Sequence, residues 1–386
     1  MTAAPAPSPA ELAAARWFGG KAAAISAVEV EDRLELGGGA AISILLVDGA
    51  ERYVWTEGAV AAAIVAGTVP EGSAWHFRRQ AVAVGLRGAE RPIGIDQSNT
   101  SYVVGERVVV KLFRRVWPGI HPEVELVEYL TGRVDSVPAF AGVLEWNGHA
   151  VALLQEFVPG GRDGWSWCGD AVLAGDVSAV GRLGTLTAEL HSALAGMGAV
   201  PAGPAQLRGW REAADAQLDR VLGIVPDDVA AELRAGEARI RAELAALAAP
   251  AATPTLQRVH GDFHIGQILR AGERLVVLDF EGEPTRPVAQ RAAPGTALRD
   301  VAAMLRSFDH LSRYVARERD PHADVEGWIA AARAAFLDGY GAVDKTLLRA
   351  LEFEKACYEF VYAAEFEPGW VYAPRAGMRW LLEHDG

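Results

Sequence analysis

Cysteine and long apolar runs are both scarce in this sequence of 386 residues. The two cysteines, Cys168 and Cys357, are too few for a disulfide framework or a cysteine-rich metal cluster, so a reducing intracellular setting is the simplest expectation. The longest apolar run, 59–66, is much shorter than the roughly 20 residues that a membrane-spanning helix needs. The amino-terminal stretch also lacks the basic start and apolar block of a secretory signal. These absences predict a soluble, cytoplasmic protein with no membrane partner.

Positive charge is in deficit as well, because 37 lysines and arginines are set against 50 aspartates and glutamates, for a formal net charge of −13. Clustered basic residues are what bind phosphate backbones, so we do not expect a nucleic-acid partner. A neutral or cationic small molecule is easier to accommodate, although net acidity also keeps many proteins in solution. The charge therefore permits such a substrate without identifying it.

Two acidic residues with a carboxamide between them mark the segment 259–282, which reads VHGDFHIGQILRAGERLVVLDFEG. Asp262 lies in a polar loop, and Asp279 follows the short apolar run 276–278, where a buried strand is predicted to end. Gln267 comes five residues after Asp262, so one loop can offer a carboxylate to a hydroxyl and an amide oxygen to a metal. This arrangement predicts phosphoryl transfer; an exposed acidic loop beside a strand-ending aspartate is the structural alternative.

The spacing of these residues resembles that of the aminoglycoside-phosphotransferase-like kinases, which are relatives of the protein kinases. The resemblance implies that Asp262 is the base or orienter for the attacking hydroxyl, and that Gln267, Asp279 and Glu281 hold Mg²⁺ against the phosphates of ATP. Glutamine at 267, where most of that superfamily has asparagine, and the DFEGEP at 279–284 are similar to a narrower group, the maltokinases and the glucosamine kinases related to them.

Lysine is rare among the basic residues, and one of the few is in an apolar strand. The sequence has four lysines, at positions 21, 111, 345 and 355, and Lys111 follows the alternating run 108–110. A compact ammonium on such a strand indicates a point charge that reaches phosphate oxygens, while a lysine extending from an edge strand is the structural alternative. The polar turn that precedes this strand offers hydroxyls and amides to the β- and γ-phosphates from Ser98, Asn99 and Thr100.

Three glutamates follow Pro122 on a predicted helix, and any of them could pair with Lys111 as the helix glutamate of kinases does. The spacing alone does not choose among Glu123, Glu125 and Glu128. Acidic residues also favour helix amino termini because they interact favourably with the helix dipole, whether or not they pair with a lysine. Resemblance to the maltokinases points to Glu125.

The stretch QEFVPGG at 155–161 ends an apolar strand in proline and glycine, a pattern typical of a hinge between two lobes. By the kinase resemblance, adenine bonds to the main chain of Glu156 and Val158, Phe157 packs beside them, and Asp163 reaches the ribose. Further along, Asp300 is predicted to brace the catalytic loop by accepting from backbone amides.

The carboxyl-terminal segment supplies polar and aromatic groups suited to a sugar. Polar residues recur at helical spacing over 352–365. A proline and a glycine then predict the end of the helix, so the aromatic residues that follow are expected on a loop. Trp370 is the predicted stacking platform, with Glu365, Glu367 and Tyr372 beside it, because aromatic faces stack on sugar rings and carboxylates bind hydroxyls or an ammonium. Docking of the chain end is the structural alternative for Trp370.

These assignments combine into an α+β, bilobal, protein-kinase-like fold of the aminoglycoside phosphotransferase type. We expect an amino-terminal α+β cap over 1–86, a nucleotide-binding lobe over 87–159 and a mainly helical lobe over 160–386. The expected activity is ATP-dependent, Mg²⁺-assisted phosphorylation of a small sugar by a monomer or weak dimer. Glucosamine at its 6-hydroxyl is favoured over maltose, an aminoglycoside comes third, and a nucleotide-binding regulator is the non-enzymatic alternative.

Overall fold

The computed structural model describes residues 6–18, 24–67, 73–80, 86–94, 99–283 and 288–384. The chain divides into two compact units, residues 1–160 and 161–386. Helices make up most of the second unit and strands most of the first, so the predicted α+β class is confirmed.

Two antiparallel sheets form the first unit. The smaller sheet contains β1 (Val28–Gly37), β2 (Ala40–Val47) and β3 (Glu51–Glu57). The larger has the strand order β4-β8-β9-β7-β6-β5, with β4 at Trp75–Arg79, β5 at Glu90–Pro92, β6 at Asn99–Val104, β7 at Val108–Phe113, β8 at Phe140–Trp146 and β9 at His149–Glu156. Asn147 and Gly148, both with positive φ, join β8 to β9 because a two-residue hairpin turn of this kind requires that conformation. Helices α1 (Pro9–Ala14), α2 (Val60–Ala66) and α3 (Pro122–Leu130) complete the unit.

One hydrophobic core joins the two sheets of this unit. Ile42, Ile44 and Val54 of the small sheet belong to the same buried cluster as Val110 and Leu112 of the large one. Backbone hydrogen bonds continue the connection, with the Val54 amide donating to the Arg114 carbonyl at 2.8 Å and the Val116 amide to the Arg52 carbonyl at 3.0 Å.

This shared core corrects the predicted boundary at residue 86. Strand β4 lies within the range assigned to the cap, yet it pairs with β8 over the register Trp75–Trp146 to Arg79–Gly142. Residues 75–79 therefore belong to the large sheet, because their backbone groups are satisfied by β8. The division of the remaining residues into a cap and a nucleotide-binding lobe stays a prediction.

Long helices dominate the second unit. They are α4 (Gly164–Ala174), α5 (Ser178–Ala195), α6 (Pro204–Ile224), α7 (Asp227–Ala245), α8 (Val288–Arg291), α9 (Leu298–Glu318), α10 (Val325–Tyr340), α11 (Lys345–Phe366) and α12 (Tyr372–Glu383). Two short antiparallel pairs accompany them: β10 (Val200–Pro201) pairs with β11 (Thr255–Leu256) across the intervening α6 and α7, and β12 (Ile268–Ala271) forms a hairpin with β13 (Arg274–Val277). Among the described helices, none combines the length and apolar character that crossing a bilayer requires.

Candidate active site

Lys111 is held in the first unit by an ion pair with a helix glutamate. Its Nζ lies 2.8 Å from Oε2 of Glu123, and the two residues are only 8% and 1% exposed. Helix α3 is fixed over β7 because the ring of His121, its N-cap, stacks on Phe113 with a centroid distance of 3.7 Å. A buried ammonium paired with a carboxylate is an arrangement that can present positive charge to a phosphate.

The choice of Glu125 as the partner of Lys111 was therefore wrong. Successive helix residues are rotated by about 100°, so Glu125 points roughly 200° away from the direction of Glu123. Glu128 is also engaged elsewhere, because its carboxylate accepts from Arg78 of β4 at 2.7 Å. The helix phase, which the sequence did not reveal, decides which glutamate faces the sheet.

The predicted phosphate-binding turn is only partly described, and Ser98 lies outside the described residues. Ser101 is the cross-strand partner of Lys111, so Asn99, two residues earlier, shares the face of Lys111. Thr100 is on the opposite face, where its hydroxyl accepts from Nε of the buried Arg114 at 2.8 Å. The prediction that the Thr100 hydroxyl donates to phosphate is therefore wrong, since alternation along the strand directs it to the core; Asn99 stays a prediction.

The predicted hinge follows β9 at the end of the first unit. The Glu156 amide donates to the Ala139 carbonyl at 2.9 Å, and the Phe157 amide donates to the Arg107 carbonyl at 2.9 Å. The Phe157 ring packs beneath the Arg91 guanidinium at 5.3 Å, and Val158 is buried. These contacts fix the backbone of the segment, while the adenine contacts of Glu156 and Val158 stay predictions.

A buried aspartate anchors the loop of Asp262, the predicted catalytic loop, in the second unit. Asp300 of α9 accepts from the amides of His260 at 2.8 Å and Gly261 at 3.0 Å, and it also contacts Nε2 of His191 at 3.2 Å. Burial works to raise the pKa of Asp300, but its interactions with His191, together with those of His260 and the Gly261 amide, outweigh burial, so the pKa is lowered. The predicted bracing role of Asp300 agrees with these contacts.

Replacing Asp300 with alanine is expected to lower the free energy of unfolding by about 3–5 kcal/mol, because the change leaves a buried amide and a partly buried one without this acceptor and removes a partner of the buried His191. Turnover should fall with it, since the loop loses its anchor. Urea unfolding followed by circular dichroism measures the first effect and a steady-state assay the second. Glu318→Ala is the matched control on the same helix, at a side chain 49% exposed, and should change stability by no more than about 0.5 kcal/mol. Equal stabilities of the two variants would contradict the anchoring role.

Asp262 projects from this anchored loop with its side chain 23% exposed. Its backbone amide donates to Nδ1 of His260 at 3.3 Å, and Nε2 of the same ring contacts the Leu278 carbonyl at 2.8 Å. His260 therefore ties the loop to the residue that precedes Asp279. Nε2 of His264 lies 3.8 Å from the Asp262 carboxylate. The carboxylate is thus held on a rigid backbone and remains accessible, as a base or orienter requires.

The residues predicted to hold a metal come together in the second unit. Nε2 of Gln267 lies 3.5 Å from Oδ2 of Asp279, and carboxylate oxygens of Asp279 and Glu281 lie within 4.8 Å of each other. Gly261 and Gly282 both have positive φ, and a Cβ on Gly261 would lie 3.3 Å from the Gly282 Cα, so glycine lets the two segments approach. Carboxylate and amide oxygens are the donors that Mg²⁺ prefers, so this set fits that ion.

The polar residues predicted at helical spacing on α11 divide into two groups. Glu352, Glu359 and Glu365 accept from arginines on other helices, namely Arg333, Arg306 and Arg220. The carboxylate of Glu365 is bound to Arg220 of α6, and its predicted sugar contact stays a prediction. Tyr362 belongs to the second group, whose electrostatic contacts are with acidic residues. Burial raises the pKa of Tyr362, and the negative charges of Glu367 and Asp262 raise it further. Tyr362 thus lies within electrostatic reach of both Glu367 and Asp262.

Trp370 lies in an aromatic cluster at the carboxyl-terminal end of α11. Its ring stacks on Tyr314 at 5.7 Å and on Tyr372 at 5.9 Å, and it meets Trp165 edge to face at 5.9 Å. Trp165 in turn adjoins the catalytic loop, because its Nε1 would be 3.1 Å from a Cβ on Gly266. The sequence reading missed Trp165, which follows Asp163, the N-cap of α4. Sugar contacts of Trp370, Tyr372 and Glu367, and the ribose contact of Asp163, stay predictions.

Comparisons with known proteins agree on one family. The model described as "Phosphotransferase enzyme family" matches residues 90–353. A glucosamine kinase of Streptacidiphilus jiangxiensis is 37% identical over an alignment of 323 positions, which covers 76% of this chain and 73% of that protein. A glucosamine kinase of Mycolicibacterium smegmatis is 32% identical over 398 residues, covering 91% of this chain and 98% of that protein.

Solved structures give the same result. A crystal form of a glucosamine kinase has a TM-score of 0.82 at 32% identity, covering 97% of this chain and 98% of that one. A glucosamine kinase in complex with glucosamine, ADP and inorganic phosphate has a TM-score of 0.80 at 32% identity, covering 98% of this chain and all of that one (100%). The protein-kinase-like fold predicted for the chain is thereby confirmed.

Proposed function

Because the chain belongs to the phosphotransferase enzyme family, we propose that it is an ATP-dependent sugar kinase that phosphorylates glucosamine at the 6-hydroxyl. The observation that carries the proposal is the second unit's loop geometry, in which the anchored Asp262 and the acidic pair of Asp279 and Glu281 follow the kinase pattern. Relatives that match along most of the chain are glucosamine kinases, and one solved relative contains glucosamine, ADP and phosphate.

The reaction joins an acceptor oxygen to the γ-phosphorus and breaks the bond between that phosphorus and the bridging oxygen of ADP. Asp262 orients the acceptor hydroxyl and receives its proton, and ADP leaves with the electron pair of the broken bond. Catalysis of this kind depends mainly on position and on electrostatic stabilisation, so a rigidly anchored carboxylate serves it. The anchoring by Asp300 supports this role for Asp262.

Gln267, Asp279 and Glu281 would hold Mg²⁺, since carboxylate and carboxamide oxygens suit a hard cation. Carboxylate oxygens of Asp279 and Glu281 lie within 4.8 Å of each other, and the carboxamide of Gln267 adjoins Asp279. When bound, the ion neutralises charge on the β- and γ-phosphate oxygens. Lys111, with its carboxylate partner Glu123, would add a second positive charge for ATP. The two buried free cysteines fit a cytoplasmic location, and we propose a monomer or weak dimer.

An acceptor screen tests this proposal. A coupled assay of ADP release with glucosamine, glucose, N-acetylglucosamine, maltose and kanamycin should give glucosamine the highest kcat/KM, by about 100-fold over maltose, because a site built for one set of polar groups rejects partners that leave those groups unpaired. Mass spectrometry of the product should show one added phosphate on carbon 6. ADP release without an acceptor serves as the background. A preference for maltose, or a phosphate on the anomeric oxygen of the product, would contradict the proposal and favour maltokinase activity.

A further inference from the structure

A cavity of about 440 Å³ lies beside the catalytic loop in the second unit. The loop contributes Gly261, the residue before Asp262, and helix α11 contributes Lys355 and Tyr358. Trp210 of α6 forms the far wall. Small-molecule sites in proteins have volumes of about 300–1,000 Å³, so this space has the size of a ligand pocket and adjoins the proposed base.

The charged groups that line the cavity are largely paired with one another. Arg299 donates to Glu354 at 2.7 Å, and its guanidinium covers the Trp210 ring at 5.0 Å. Lys355 donates to Glu283 at 3.0 Å. Glutamine side chains, at positions 206, 217 and 290, supply neutral donors and acceptors. A lining of balanced charge and amide groups suits a polyhydroxylated ligand better than a highly charged one.

Lys355 is the group on this lining best suited to contact a ligand. Its side chain is 24% exposed, and its Nζ lies 4.2 Å from the centre of the Tyr358 ring. Burial works to lower the pKa of Lys355, but the surrounding acidic groups, Glu283 and Asp262 foremost, together outweigh burial and the pKa is raised. An ammonium has three hydrogens, and among the described residues Glu283 accepts one of them.

We propose that this cavity is a subsite for the acceptor sugar, in which Lys355, held in place by Glu283, donates a hydrogen bond to a sugar hydroxyl. The inference rests on the proposed function, since it concerns the acceptor of the same reaction. It assigns the sugar-binding role to the face of α11 that carries Lys355, in addition to the aromatic cluster around Trp370. A fixed cation here also determines how the sugar lies: the ammonium of glucosamine must point away from Lys355, so hydroxyls face it.

Lys355→Met tests the subsite. Losing a hydrogen bond from a charged donor should raise the KM for glucosamine about 10- to 100-fold while the KM for ATP stays within about twofold. Glucose, which presents the same 6-hydroxyl, should lose a similar factor, because the lost contact is to a hydroxyl. Lys345→Met is the matched control, an exposed lysine at the start of the same helix, and should leave both constants unchanged. Lys355→Arg should recover part of the loss, since a guanidinium also donates.

A second variant separates binding from folding. Lys355→Met leaves the buried Glu283 without its ammonium, so we pair it with the double variant Lys355→Met/Glu283→Gln, which removes both charges. The double variant should unfold at a temperature close to that of the wild type and still bind glucosamine at least tenfold more weakly in calorimetric titrations with ADP present. Wild-type affinity in the double variant, or an unchanged KM for glucosamine in Lys355→Met, would overturn the subsite.

Failure of the proposed function would look different. If the wild-type protein does not phosphorylate glucosamine, the acceptor assignment fails, and Lys355→Met is then assayed with whichever sugar the screen shows to be turned over. An increased KM for that sugar alone would keep the subsite, and an equal change for the sugar and ATP would remove it.

Discussion

Asp262→Ala is expected to lower kcat by about 10²–10⁴-fold, because the acceptor hydroxyl loses both its orienter and its proton acceptor. Binding of ATP should change by less than about threefold, since the proposed nucleotide contacts are made by other residues. A coupled assay with glucosamine measures kcat, and calorimetric titration with a nonhydrolysable ATP analogue measures binding. A large loss of kcat with little change in ATP binding would assign Asp262 to the reacting oxygen.

Two further variants sharpen this test. Asp262→Asn keeps the shape and one acceptor oxygen but cannot receive a proton, so it should remain nearly as impaired as alanine if proton transfer matters, and recover activity if orientation alone does. Asp338→Ala removes an exposed aspartate from α10 and should leave kcat unchanged. Full activity in Asp262→Ala would remove it from the mechanism.

Asp279→Asn should lower kcat by about two to four orders of magnitude, the kinetic equivalent of several kcal/mol of lost charge stabilisation, and raise the Mg²⁺ concentration needed for half-maximal activity. Asparagine is the appropriate replacement because Asp279 has a φ of +64°. Asparagine tolerates this left-handed conformation, while alanine would add backbone strain to the loss of the carboxylate. Activity is measured across a Mg²⁺ titration at fixed ATP.

Gln267→Asn provides the comparison for Asp279→Asn. It keeps a carboxamide on a shorter side chain, so the Mg²⁺ requirement should shift less than in Asp279→Asn, and the unfolding temperature should change little. A normal Mg²⁺ dependence in Asp279→Asn would show that this carboxylate does not serve the metal.

The catalytic segment could be predicted because its chemistry depends on local spacing. Asp262, Gln267 and Asp279 are separated by one loop and one hairpin, β12 and β13, so their order along the chain nearly determines their proximity. Lys111 could be assigned to a strand because an isolated lysine in an apolar alternating run is unusual in a chain that places its positive charge mainly on arginine.

Other features depended on geometry that the sequence does not carry. The partner of Lys111 was decided by the phase of α3, and the direction of the Thr100 side chain by strand register. The boundary between α4 and α5 depends likewise on local backbone conformation, because Gly175 adopts a φ of +65° and ends α4. Helix α12 went unpredicted because the proline and glycine at 368–369 indicated a loop, and tertiary packing resumes the helix after one short turn.

The small sheet of the first unit has a structural role beyond its own folding. Ile42, Ile44 and Val54 fill one side of a core whose other side is the strand that carries Lys111. Deleting the residues that precede β4 would remove the side chains packed against that strand and expose Val110 and Leu112 to solvent. The small sheet is therefore expected to help hold Lys111 in position, through the core that it shares with β7.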